Sequence, residues 1–132
     1  MLSAIPLLIV PFILYNLGLM LPPGGTAIWS DELFSLQMMS GGLWTMTMGD
    51  ALIVLTLVFL FVEIVKSTRT SNASIVDHLL STFVFIAYLI EFLLVQGAAH
   101  QIFFILMTIT FIDVLAGFSV SLRSAGRDVN FH

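Results

Sequence analysis

Four stretches of this chain are continuously apolar: residues 2–21, 47–66, 74–95 and 100–122. Each is close to the ~20 residues that a helix needs to cross ~30 Å of hydrocarbon. No other feature limits the fold so strongly. Lipid offers no partner to an open backbone, so each run must close its own hydrogen bonds as a helix. The runs are continuous rather than alternating, which argues against a small β-barrel. Composition points the same way. Of the 132 residues, 59% are hydrophobic and 9% charged, where a soluble domain carries about a quarter charged residues. Mean hydropathy is +1.11. A chain of this size cannot hide that much apolar surface in a core of its own. The sequence therefore predicts an all-α integral membrane protein: a single domain over 1–132, folded as a four-helix transmembrane bundle.

The first run reads as an uncleaved span rather than a signal peptide. Met1-Leu2-Ser3-Ala4 carries no Lys or Arg, and no A-x-A site follows Met20. Pro6 is expected in the first turn of this span, and Pro11 inside it, kinking the helix near Leu7. The basic residues set the orientation. Lys66 and Arg69 lie between spans two and three, and Arg123 and Arg127 follow span four. The connections 22–46 and 96–99 carry no Lys or Arg. The positive-inside rule then places both termini in the cytoplasm, as in a multi-pass protein of a bacterial inner (plasma) membrane. Spans three and four form a tight antiparallel hairpin around 96–99. The Asn72-Ala73-Ser74 sequon falls on the cytoplasmic side, which argues against its use.

The long outer connection has its own pattern. "WSDELFSLQMMSGG" reads as a short helix over about 30–40. Ser30 is a fitting N-cap, Asp31 and Glu32 suit the first turn, and Gly41-Gly42 ends it. Leu33, Phe34, Leu36, Met38 and Met39 make it apolar, and Trp29 and Trp44 flank it like aromatic-belt residues. It is expected as an interfacial helix on the membrane surface, or folded back against the bundle.

Several function classes fall away. A net charge of −4 gives no footprint for nucleic acid. Without cysteine there are no disulfides, thiolate metal sites or thiol catalysis. No H-E-x-x-H, G-x-S-x-G, Walker loop or Rossmann glycine pattern occurs. The halves show no convincing inverted repeat. A non-enzymatic protein is the expectation.

The acids carry the remaining information. Thr47 with Asp50, and Ser74 with Asp77, have capping-box spacing at the starts of spans two and three. His78 then reads as an interfacial polar residue. Glu63, Glu91 and Asp113 lie within spans, where an ionisable group costs several kcal/mol and generally faces the bundle interior. Helical spacing agrees. Asp77, Ser81, Val84, Tyr88 and Glu91 share one stripe; Thr110, Asp113, Gly117 and Ser121 share another; Gly49, Thr56 and Glu63 share a third. Gly117 and Ser121 also form a small-xxx-small pair. At about 1.5 Å rise per residue, Glu63 and Asp113 come out level, roughly 20 Å from the outer side, and Glu91 near that side.

Such a ladder fits two functions. One is a path for protons or cations. The other is structural or partner-binding, with carboxyls tying helices together through hydrogen bonds worth about 1 kcal/mol each. Glu63 has the simplest option, pairing with Lys66 three residues on. A third reading rests on Met46, Met48 and His100, all on the outer side, whose thioether and imidazole groups suit Cu(I); methionine is also a common packing residue at irregular interfaces. The favoured expectation is a small accessory or assembly subunit. Its partners are the lipid bilayer and other transmembrane helices, in a hetero-complex or a homo-oligomer.

Overall fold

The computed structural model describes residues 5–21, 25–68 and 72–130, with side chains over 76–119 in the last two helices. Among the described residues the elements are α1 (Ile9–Met20), a 3₁₀ turn at Ala27–Ser30, β1 (Glu32–Gln37), β2 (Leu43–Thr47), α2 (Met48–Ser67), α3 (Asn72–Leu94), a second 3₁₀ turn at Gln96–Ala98, and α4 (Gln101–Asn130). Met48–Ser67, Val76–Leu94 and Gln101–Ser119 are long and apolar enough to cross a membrane. The first helix is not: its 12 residues rise only about 18 Å. The chain is thus compatible with a membrane protein that has three spanning helices and a shorter fourth helix beside them. Three of the four expected spans are thus matched by helices of spanning length, and the described part of the first is shorter.

Proline explains the late start of α1. A proline inside a helix has no N–H to give, and its ring clashes with the carbonyl four residues back. The helix therefore begins at Ile9, which makes Pro11 its third residue, where an N–H would be surplus. The expected kink at Leu7 is replaced by a turn. Ile9 N–H donates to Pro6 O at 3.3 Å, and Val10 N–H to Leu7 O at 3.0 Å. Pro11 lacks a donor, so the N–H groups of Ile9 and Val10 are occupied and that of the third helical residue does not exist.

The central helix is α4, packed along α2 and α3. The buried faces of the long helices include the small and polar stripes, Gly49, Thr56 and Glu63 on α2, Asp77, Ser81, Val84 and Tyr88 on α3, and Thr110, Asp113 and Gly117 on α4, beside apolar residues such as Leu52, Phe103 and Leu106. Large apolar residues such as Phe61, Phe83 and Phe118 point outward. Polar residues inside and large apolar ones outside are expected when the surroundings are lipid, since small residues let helices approach. Ser121 lies outside the described side chains.

Aromatic rings fill the core near α1. Tyr15, Tyr88 and Phe103 are fully buried. Tyr15 stacks on Trp29 with ring centroids 5.1 Å apart, and Phe12 meets Tyr88 edge-on at 5.0 Å. Such pairs are worth about 0.5–1.5 kcal/mol beyond their buried area. The stacking depends on Gly18, where a Cβ would overlap the Trp29 ring.

The segment between α1 and α2 differs from expectation. Residues 30–40 are not an interfacial helix; they belong to a β-hairpin. Antiparallel β1 and β2 pair Phe34 with Met46, Ser35 with Thr45, Leu36 with Trp44 and Gln37 with Leu43, with an irregularity between Glu32 and Phe34. The physical reason lies downstream of the stretch that looked helical. Leu43-Trp44-Thr45-Met46-Thr47 is rich in β-formers, so it supplies a partner strand. Gly41, at φ +91°, reverses the chain in a conformation that side chains disfavour. Ser35 and Thr45 hydroxyls meet at 2.9 Å, and Phe34 packs edge-on against Trp44 at 5.3 Å. Met48 N–H donates to Asp31 O at 2.8 Å, which fastens the hairpin's base to the start of α2.

Candidate functional site

Thr47 ends β2 and caps α2. Asp50 N–H donates to Thr47 Oγ1 at 3.2 Å, and Thr47 N–H donates to Asp50 Oδ2 at 3.2 Å, a complete capping box. The second proposed cap, Ser74 with Asp77, rests on a side chain outside the described residues. Because α3 begins at Asn72, residues 74 and 77 fall inside the helix. Asp77 is instead buried, facing inward.

The interior polar residues form two groups. The first clamps the start of α1. Glu63 Oε1 accepts Leu7 N–H at 2.7 Å and Lys66 Nζ at 3.0 Å. Lys66 Nζ also donates to Ile5 O at 2.9 Å, and Tyr88 Oη to Leu8 O at 2.9 Å. Residues 5–8 are not helical, so their backbone groups need partners that lipid cannot give. Three side chains from α2 and α3 supply them. The Glu63–Lys66 pair is itself buried, at 3% and 10% side-chain exposure. A buried ion pair persists only when further hydrogen bonds satisfy its remaining atoms, and the backbone of residues 5–7 does so.

Beside this clamp, Glu63 and Ser67 of α2, Asp77, His78 and Ser81 of α3, and Asp113 and Gly117 of α4 enclose a small polar cavity. Asp113 is set beside the Ser81 hydroxyl and within electrostatic reach of both Glu63 and Lys66. Asp77 Oδ1 and His78 Nδ1 are buried without a hydrogen-bond partner. Gly117 leaves room for the imidazole: a Cβ there would lie 2.9 Å from His78 Nδ1.

The second group is near the hairpin end. Glu91 neighbours Asn16 of α1 and the hydroxyls of Tyr15 and Tyr88. Its Oε2 is buried with no partner. Tyr15 Oη donates to Gly97 O at 2.8 Å, tying α1 to the turn between α3 and α4. Between the groups stand the rings of Phe12, Tyr88 and Phe103, with Tyr88 and Phe103 centroids 5.2 Å apart. Glu63 and Asp113 are thus together at one end and Glu91 lies apart from those two, while Tyr88 stands between, its hydroxyl bonded to Leu8 O and neighbouring Glu91.

The methionines and His100 have local structural roles. Met46 pairs across the hairpin with Phe34, and Met48 is the first residue of α2. His100 Nδ1 accepts Ile102 N–H at 3.1 Å at the start of α4. Among the described residues, no group of three His, Asp or Glu side chains is placed to hold a metal ion.

Sequence reasoning missed the roles of Tyr15, Trp29 and His78. Gly18 and Gly117 were the available signals, since each glycine on an apolar helix marks where a ring comes close. Comparison with protein-family models, with curated proteins and with solved structures finds no match.

Proposed function

We propose that this chain is a small non-enzymatic integral membrane protein that works through contact with other transmembrane helices, as an accessory or assembly subunit or with its own copies. The observation that carries this reading is the side of the bundle occupied by the short α1. Apolar grooves flank it. One, of about 290 Å³, lies between α1 and α3 and is lined by Ile9, Phe12, Leu80, Phe83 and Val84. The other, of about 390 Å³, lies between α1 and α2 and is lined by Leu14, Leu17, Gly18, Leu52 and Leu55. Grooves of this kind suit the side chains of a neighbouring helix, which packs in lipid by shape rather than by hydrophobic drive. The polar groups that resemble machinery, Glu63, Lys66 and Tyr88, are engaged with the chain's own backbone.

A photo-cross-linking side chain at Leu17, activated in native membranes before gentle extraction, tests the reading. A discrete adduct of fixed mass, to a second copy or to one other membrane protein, is expected. Adducts to lipid alone, with the chain isolated as a monomer, would count against it. The competing path for protons or cations would have to pass the ring layer of Phe12, Tyr88 and Phe103. Proteoliposome flux that is lost in both Glu91→Gln and Asp113→Asn would favour that path over the subunit reading.

A further inference from the structure

Strand register sorts the hairpin's side chains into two faces. Residues opposite one another in an antiparallel pair share a side, and successive residues alternate. Phe34 with Met46 and Leu36 with Trp44 therefore form one face, and Ser35 with Thr45 and Gln37 with Leu43 the other. The first face is wholly apolar; the second, Leu43 apart, is polar. The bundle does not cover the apolar face: Phe34 is 41% exposed, Leu36 52% and Trp44 43%. A two-stranded hairpin standing alone in water is marginally stable at best. Among the described residues its two long edges are also open, and neither strand carries the Lys or Pro that commonly guards an edge. The apolar face calls for a cover.

Location, charge and area identify that cover. Thr47 both ends β2 and caps α2, and Met48 N–H donates to Asp31 O at 2.8 Å, so no linker separates the hairpin from α2. Since α2 is long and apolar enough to cross a membrane, the hairpin's base stands at the edge of the hydrocarbon. Its far end is at most roughly 20 Å away, at ~3.3 Å per residue. Residues 33–47 contain no Asp, Glu, Lys or Arg, so the hairpin offers a charged partner nothing to pair with. Two short strands ~4.8 Å apart present a face of roughly 200 Å². A stable protein interface takes about 800 Å² from each partner. The face is too small to hold a second protein by itself, whereas a bilayer surface already adjoins it. The open edges then set the depth. Their N–H and C=O groups need water, which hydrocarbon lacks and the headgroup layer supplies. Trp44 belongs at that level.

We propose that the hairpin is a lipid-binding surface for electrically neutral, zwitterionic lipid. Its Phe34, Leu36, Trp44 and Met46 face rests where headgroups meet acyl chains, and its Ser35, Gln37 and Thr45 face looks into water. The proposal rests on the reading of the long helices as membrane spans. Held in this way, the hairpin fixes the depth at which α2 enters the bilayer.

Spin labels test the surface, since the chain has no cysteine of its own. Leu36→Cys, Gln37→Cys and Phe61→Cys, each at an exposed position, carry a nitroxide on the full chain in phosphatidylcholine nanodiscs. Collision rates are measured with oxygen, which collects in lipid, and with neutral nickel ethylenediaminediacetate, which stays in water. Phe61, on the outward side of α2, reports the span itself and should be closed to nickel. The Leu36 label is expected to resemble it, with a nickel-to-oxygen ratio several-fold below that of Gln37. Equal nickel access at Leu36 and Gln37, with Phe61 protected, would overturn the hairpin's role alone. A Leu36 label immobilised and closed to both reagents would overturn it too, in favour of a protein cover. Free nickel access at Phe61 would remove the membrane reading, and the proposal with it. Adding anionic phosphatidylglycerol should leave the Leu36 ratio unchanged; a low ratio seen only with that lipid would refute a neutral-lipid surface.

Discussion

Glu63 shows what a single buried carboxylate does here. It accepts from a backbone N–H 56 positions away and from Lys66 on its own helix. Removing one member of a buried ion pair generally costs about 3–5 kcal/mol, because the other charge is stranded. Glu63→Gln should therefore lower the thermal unfolding midpoint of the detergent-solubilised protein markedly. The double variant Glu63→Gln/Lys66→Met should recover much of that loss, since it strands no charge. Tyr88→Phe removes one hydrogen bond, to Leu8 O, and should cost about 1 kcal/mol in the same measurement. The near partner of Glu63 is legible in the sequence, because residues three apart on a helix face each other. The far partner is not. That Leu7 and Ile5 need hydrogen-bond partners follows only once α1 is known to start at Ile9.

Among the elements, the hairpin is where local reading and structure part. Ser30, Asp31, Glu32 and Gly41-Gly42 have the chemistry of helix ends, yet the same residues also suit a turn and two strand ends. The choice is made by Leu43–Thr47, which is rich in β-formers and lies outside the window that looked helical. Short apolar stretches are ambiguous between periods for this reason. The hairpin should depend on its reversal point. Gly41→Val forces a branched side chain to φ +91°, a cost of order 1–3 kcal/mol. The expected result is faster proteolysis between the strands with the helices intact. Thr47→Ala removes the capping hydroxyl of α2 and should cost about 1 kcal/mol of stability, read by denaturant titration. The three long helices were legible because their length alone excludes the alternatives. The described helix of the first run starts later than the run itself, because the apolar stretch continues through two prolines.

The whole molecule is ordered along one axis. The hairpin and the turn at Gln96–Ala98 lie at one end of the long helices, and Lys66 and the polar cavity towards the other. The chain contains no cysteine, so single cysteines report topology without background. Met39→Cys, at a fully exposed hairpin position, should react with a membrane-impermeant thiol reagent from outside intact cells. Thr68→Cys, just past α2, should react only after the membrane is opened. Labelling of both from the same side would refute the orientation read from the basic residues. The junction of hairpin and α2 has one further consequence. Thr47 is the last residue of a strand and the cap of the next helix, and Asp31 holds Met48 from the opposite strand. No flexible linker separates the two bodies, so they turn together as the arms of a lever. A torque applied to the hairpin is delivered along α2 to Glu63 and, through it, to the start of the chain's first helix.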